Sequence, residues 1–273
     1  MLAEFIVMFR EALEVSFVIG IVLAYLHQTK KQEYEKHVHL GLGTGIVGSL
    51  ILAYLFQFVQ GGFEASEELY EGVFMILASA LVTWLILWMM GQKEVVTRLK
   101  KEVQTKIDQK ESMGLFLLVF VAVLREGIEA VLFMAGILVN TGGLSILGGL
   151  LGLVAAVVVG ILIFEYSMKF NINLFFKATT VLLVLLAAGL FSQGIHELQE
   201  AKVIPTYIEH VYVINPPANP DGTYPLMHEK GAAGSILKGL FGYDGNPSEF
   251  QIAGYFAYLA AVYGIYRLKY SKG

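Results

Sequence analysis

The sequence predicts an all-α, polytopic membrane protein with seven transmembrane helices. Three observations predict it. Of the 273 residues, 56% are of hydrophobic type and only 15% are charged, against about a quarter charged in a soluble domain. The apolar residues gather into seven runs near the length, some 20 residues, that a helix needs to cross a hydrocarbon core of about 30 Å. Lysine and arginine concentrate in alternate connections between those runs. The same composition excludes other classes. Without cysteine there is no disulfide scaffold, thiolate metal site or cysteine nucleophile. A formal charge of -4 gives no basic footprint for nucleic acid, and so apolar a chain does not remain disordered in water.

The runs, in order, are Leu2–Leu26, Leu40–Val59, Gly72–Met90, Met113–Val139, Leu144–Phe164, Leu174–Ile195 and Phe250–Tyr266. They are evenly apolar, not alternating, so they read as helices and not as strands of a membrane barrel. The first run begins at residue 2, has no basic leader and carries Arg10, Glu11 and Glu14. It is therefore expected to be a retained span, not a signal peptide. Fourteen of the 19 basic residues fall in the 27–39, 91–112 and 165–173 connections, at Lys177 just past the last of these, and in the C-terminal tail. Positive charge stays on the cytoplasmic side, which places the N-terminus outside and the C-terminus inside. Of the external connections, 61–71 has four Glu and no base, and 196–249 holds all six prolines. Within the latter, GSILKGLFG is expected to form a short amphipathic helix on the membrane surface. Trp84, Trp88 and many of the tyrosines suit the interfacial belt.

A repeat lies inside these spans. Arg10-Glu11-Ala12-Leu13-Glu14 in the first run matches Arg125-Glu126-Gly127-Ile128-Glu129 in the fourth. The second and fifth runs begin alike, with Gly41-x-x-x-Gly45 and Gly148-x-x-x-Gly152. Three spans per repeat is an odd number, so the halves must thread the bilayer in opposite directions, an inverted repeat typical of transporters with a site near the midplane. The chain then reads as one transmembrane domain, 1–273. Repeat one is 1–90, a cytoplasmic loop 91–112, repeat two 113–200, an external loop 201–249 and a seventh helix 250–266. At 1.5 Å per residue, Arg10 lies about 12 Å into its helix and Arg125 about 18 Å in from the opposite face, so both motifs reach the middle.

Glutamates at i and i+3 share a helical face. Two such helices, packed antiparallel, would gather Glu11, Glu14, Glu126 and Glu129 around one point. An ionisable group at the bilayer centre costs about 2.5–3.5 kcal/mol on insertion scales, which makes a functional role the default. Arg10 and Arg125 offset part of the charge and can hold carboxylates in bidentate geometry, leaving a formal -2. An all-oxygen, anionic cage suits a hard cation and disfavours copper(I). A trivalent ion would leave the site at +1 and a divalent ion at zero, so charge does not select the oxidation state. Two other readings compete. One is a pair of structural ion pairs, Arg10 to Glu14 and Arg125 to Glu129, disfavoured because the element occurs twice at matching depth. The other is a di-iron carboxylate enzyme, which normally adds a Glu-x-x-His element, whereas neither charged run contains His.

The doubled R-E-x-x-E element, the seven runs and the external N-terminus resemble the oxidase-dependent iron permease family. That family includes the high-affinity iron permeases of fungi and iron-uptake permeases of bacteria. The resemblance covers essentially the whole chain. It implies a multi-pass protein of the cell membrane, not an enzyme, with iron as transported substrate and no cofactor. It assigns iron translocation to Arg10, Glu11, Glu14, Arg125, Glu126 and Glu129. It implies Fe(III), formed outside from Fe(II) by a partner ferroxidase or peroxidase. Some bacterial relatives carry an extracytoplasmic domain before the first helix; none is present here, so the oxidase is expected to be a separate protein. Ala12 stands where Gly is common, which leaves the carboxylates in place. Importers of another divalent metal (Fe2+, Mn2+ or Pb2+) are the alternative within this fold.

Secondary sites are weaker. His196, Glu197 and Glu200 close the sixth run with the same i,i+3 carboxylate spacing, and the resemblance extends to this stretch; it is expected to collect metal outside. Glu71, beside the third run, joins them as the best placed of the external acids Glu64, Glu67, Glu68 and Glu71, with Glu4 on the same side. Such acids either are simply solvated or raise the local cation concentration. Glu165, at the inner end of the fifth run, reads mainly as a snorkelling structural residue. His27, His37 and His39 border the headgroups, and His210 and His228 receive no role.

Overall fold

A computed structural model of the chain describes residues 1–60, 67–90, 101–106, 111–141, 143–164, 172–219 and 221–270. Among the described residues every regular element is helical. The helices are α1 (Leu2–Gln28), α2 (Glu35–Gln60), α3 (Glu67–Met90), α4 (Ser112–Thr141), α5 (Ile146–Phe164), α6 (Ile172–Glu200), α7 (Ala232–Phe241) and α8 (Glu249–Tyr270). Six of the seven predicted runs lie wholly within one long helix, and the fifth, Leu144–Phe164, begins two residues before its helix. The helices overshoot the runs where polar residues continue the coil, as at Glu35–His39 of α2 and His196–Glu200 of α6. By length and apolarity alone, four stretches can cross a membrane: Gln32–Leu55, Glu68–Leu87, Ile146–Phe164 and Lys177–Glu200. α1 and α4, of 27 and 30 residues, are as long but interrupt their apolar runs with the motif charges. Glu64, Glu165, the side chains of Glu67 and Trp88, and loop residues 91–100 and 107–110 lie outside the described residues.

The principal partners are α1 with α5, α2 with α4, α3 with α6, α1 with α4, and α6 with α8. Exchanging α1 with α4, α2 with α5 and α3 with α6 leaves the first four of these pairings unchanged. Glycines set the two equivalent contacts. On α5, Gly148 meets the backbone of Met1 and Gly152 that of Phe5 and Phe9 in α1; on α2, Gly41 meets the Phe116 carbonyl and Gly45 the Val123 side chain of α4. A Cβ at Gly152 would stand 2.9 Å from the Phe9 nitrogen, and one at Gly45 2.7 Å from the Val123 Cβ. Neither backbone can yield without separating the helices, which is how a small-xxx-small stripe fixes an interhelical distance. Gly152→Val is therefore expected to lower stability by roughly 2–3 kcal/mol or more, at the upper end for overpacking. A fall in the melting temperature of the detergent-purified protein checks it, with Gly43→Ala, which meets open space, as the unaffected control.

Three apolar clusters hold the bundle. The largest joins Ala3 and Val7 of α1, Val82 and Ile86 of α3, Phe133 and Ile137 of α4, Leu183, Leu186, Ala187 and Leu190 of α6, and Leu240 of α7. A second joins Leu26, Val38, Leu115 and Val119 with Val103 of the helical stretch 101–106. The third packs Leu13 and Phe17 of α1 on Ala156 of α5.

The amphipathic segment is helical, as its sequence suggests, and part of its apolar side packs on the protein. Leu240 is buried in the main cluster, and α7 packs on α6, α1 and α4. It ends on Gly242, in left-handed conformation at φ 65°. Gly189 of α6 packs against that residue, where any side chain would collide with backbone. Part of the apolar face, at Leu240, is therefore covered by the bundle, while Ile236 stays 43% exposed. The segment leading from α6 to α8 is fastened by a buried polar set. Ser248 Oγ donates to Gln199 Oε1 (2.6 Å), the Ser248 N–H to Gln251 Oε1 (2.7 Å), and Ser192 Oγ to the Gln251 carbonyl (3.0 Å). The Glu249 carboxylate accepts from the Tyr207 and Ile208 N–H groups at 2.7 and 2.9 Å.

Candidate metal site between two charged helices

α1 and α4 cross so that their motifs meet. Glu11, Glu126 and Glu129 each offer one carboxylate oxygen, and these oxygens all lie within 4.8 Å of one another. The three residues are only 3%, 1% and 1% exposed. Each motif also closes on itself. Arg10, fully buried, pairs with Glu11 and reaches Glu14 at 2.7 Å. Arg125 pairs with Glu126 and reaches Glu129 with Nε at 3.4 Å. The i,i+4 pairs of the structural reading are thus present, but they do not exhaust the acids. A carboxylate has about four lone-pair sites, and Glu11 Oε2, Glu126 Oε2 and Glu129 Oε2 are buried with no hydrogen-bond partner. The charges act across the seam as well: Arg10 on Glu129, and Glu14 on Glu126 and Arg125. Three buried acceptors with unused lone pairs, close together and partly neutralised, have the chemistry to hold a hard cation.

One detail departs from the expectation of four equivalent carboxylates. Glu14 is not among the three acids whose oxygens lie within 4.8 Å of one another, although its charge acts on Glu126 and Glu129. The Arg10 fork binds Glu11 with one nitrogen and Glu14 with the other, which holds Glu14 on its own helix. Glu129, its counterpart in the second motif, sits farther from Arg125 and joins the cluster.

The site opens onto a groove of about 990 Å³ between α1, α2, α4 and α5. Its lining is apolar except for Glu11, Ser16, Ser49, Tyr54 and Glu126. Neither serine stands out in the sequence. The only available signal was an isolated hydroxyl within an apolar run, which ordinary packing also produces.

The secondary residues are placed differently. Gly72 lets the start of α3 approach Glu197 and Leu198 of α6, so Glu71, His196, Glu197 and Glu200 share one end of the α3–α6 pair. His196 Nε2 lies 3.2 Å from a Glu200 oxygen, Gln193 Nε2 donates to Glu197 (3.3 Å), and the charges of Glu71, Glu200 and His196 act on Glu197. Among the described residues, however, no second set of three acidic or histidine ligand atoms is drawn together as at Glu11, Glu126 and Glu129. Glu4 is not a solvated acid. It is buried, 2.5 Å from the Met1 amine, and accepts from the Ser145 N–H at 2.8 Å just before α5. A carboxylate at a helix N-terminus is favourably placed, so Glu4 fastens α1 to α5.

Comparison with known proteins shows the family. The chain is 30% identical over 277 residues to an uncharacterized protein of Archaeoglobus fulgidus, covering all of this chain and 96% of that protein. It is 29% identical to the ferrous iron permease EfeU of Escherichia coli, covering 95% of this chain and 92% of that protein. It is 28% identical to EfeU of Yersinia pestis, covering 95% and 90%. No solved structure matches. The sequence model of the iron permease FTR1 family matches residues 1–272, and the chain belongs to that family.

Proposed function

We propose that this protein imports iron across the cell membrane as a seven-span permease, N-terminus outside and C-terminus inside. Glu11, Glu126 and Glu129 hold the ion midway, and Glu14, Arg10 and Arg125 set the charge around it. What carries this is three buried carboxylates, each with an unpartnered oxygen, converging from two different helices. The interchangeable pairing of α1–α3 with α4–α6 supports an inverted repeat that exposes the site alternately by rocking, driven by a proton or the membrane potential. Glu71, His196, Glu197 and Glu200 would form an outer vestibule that raises local cation concentration, and not a second cage. The transported form is Fe(III), produced outside by a separate ferroxidase or peroxidase; Fe(III) is the harder ion and suits an all-oxygen anionic site. A second reading, transport of Fe(II) itself, is favoured by the name of the EfeU relatives.

Radio-iron uptake into proteoliposomes separates the two. With Fe(III) as the cargo, Fe(II) held reduced without oxygen is taken up at least tenfold more slowly than Fe(II) supplied with an external ferroxidase. Excess Mn(II) or Pb(II) then competes poorly. Equal uptake in both conditions, with strong competition by Mn(II), would select divalent transport. No uptake in either would overturn the permease reading.

A further inference from the structure

The groove beside the carboxylates carries one feature that the R-E-x-x-E motif does not account for. Ser49 of α2 stands directly over Gly127, the residue that follows Glu126; a Cβ at position 127 would overlap the Ser49 hydroxyl. Ser49 and Glu126 line the same groove. The Ser49 hydroxyl donates its proton to the Gly45 carbonyl of its own helix at 2.9 Å. That bond uses the one hydrogen and leaves the oxygen with acceptor capacity only. Ser16 of α1, five residues beyond Glu11, is built the same way: its Oγ donates to the Ala12 carbonyl at 2.8 Å. It too lines the groove, and it packs on Gly160 of α5, where a Cβ would stand 2.9 Å from the Ser16 Cβ. Each serine thus faces a glycine of the neighbouring helix and has a hydroxyl oxygen with free lone pairs in the groove that Glu11 and Glu126 also line. The carboxylates themselves retain buried oxygens without partners.

A cation leaving water exchanges a full shell of oxygens for those the protein offers, and three carboxylates binding through one oxygen each leave open positions among the roughly six that hard octahedral ions prefer. We propose that Ser49, with Ser16 as the next position along the groove, supplies neutral oxygen ligands to the iron ion beside Glu126 and Glu11 and so contributes to selection of a hard metal. This rests on the permease reading above. Neutral oxygens add coordination without adding negative charge, which a site already at a formal -2 needs if it is to release its ion.

The test uses the full chain in proteoliposomes with radio-iron, comparing Ser49→Ala, Ser49→Cys, Ser16→Ala and Glu11→Gln. The expected results for Ser49→Ala are a KM raised about five- to tenfold and an unchanged melting temperature. Ser49→Cys keeps the size of the residue but offers sulfur, so Cd(II) should inhibit its iron uptake at least tenfold more strongly than it inhibits the parent; a packing role would produce no such shift toward a soft metal. Ser16→Ala should give a smaller rise in KM. If both Ser49 variants match the parent in KM and in cadmium inhibition while Glu11→Gln is inactive, the serine ligand is overturned and the permease reading stands. If Glu11→Gln also transports normally, the carboxylate site itself fails.

Discussion

Glu126→Gln is expected to reduce iron uptake to background while leaving the protein folded. The substitution keeps the volume of a side chain that is 1% exposed, and its amide oxygen can still accept from Arg125. What it removes is one of three carboxylates whose oxygens share a 4.8 Å cluster. Loss even of residues that merely orient metal ligands costs about 10–100-fold in affinity, so loss of a ligand should cost on the order of 100-fold or more in uptake at low iron. Stability moves the other way. The site passes from a formal -2 to -1, which relieves repulsion among buried acids, and the melting temperature should hold or rise. That pairing of outcomes separates a transport site from a structural ion pair, because a pair kept for stability would melt earlier when its acid is neutralised. Uptake is read with radio-iron at subsaturating concentration, and melting by tryptophan fluorescence of the purified protein. Normal uptake with a lowered melting temperature would assign the motif to structure.

The long helices and the meeting of the two motifs were legible in the sequence because both rest on signals that survive in one dimension. An apolar run of span length has few alternatives in water, and a charged i,i+3 element recurring in two such runs is hard to place except at a shared point. The unequal placing of Glu14 and Glu129 was not legible, since the two motifs read alike and the difference lies in how far each arginine reaches. The inward packing of α7 was hidden for a related reason. An amphipathic pattern reports that a face must be covered, and it is silent on whether lipid or Leu190 covers it. Glu4 looked like one external acid among several, and only the fold brings the Ser145 amide to it. Ser49 is invisible in sequence because its value comes from Gly127 across the α2–α4 seam. In a helix apolar on nearly every side, periodicity does not say which face meets protein. α2 illustrates the limit: Gly41 and Gly45 are buried while Ile46, Leu50 and Tyr54 remain exposed.

Arg10→Gln carries the largest expected effect on the fold itself. Arg10 is 0% exposed and is the largest fully buried side chain among the described residues. Its fork binds Glu11 and Glu14, and its charge acts on Glu129. Without it the site passes from a formal -2 to -3 with its acids still in place. Removing one partner of a buried pair costs about 3–5 kcal/mol, a large part of the 5–15 kcal/mol that typically holds a domain. Little folded protein should therefore be recovered from the membrane, judged by yield and by a sharp gel-filtration peak in detergent. Arg10→Lys should recover only part of it, because an ammonium is a point charge and does not reproduce the two-pronged hold on Glu11 and Glu14. The double change Arg10→Gln with Glu14→Gln returns the site to a formal -2 and should restore most of the yield. The difference between the double variant and the sum of the single ones measures the coupling directly. Transport should not return with the fold, since Glu11 is then no longer held toward Glu126 and Glu129. A normal yield for Arg10→Gln alone would mean that the buried acids do not need this cation, and the account of how the site stays assembled without metal would have to be abandoned.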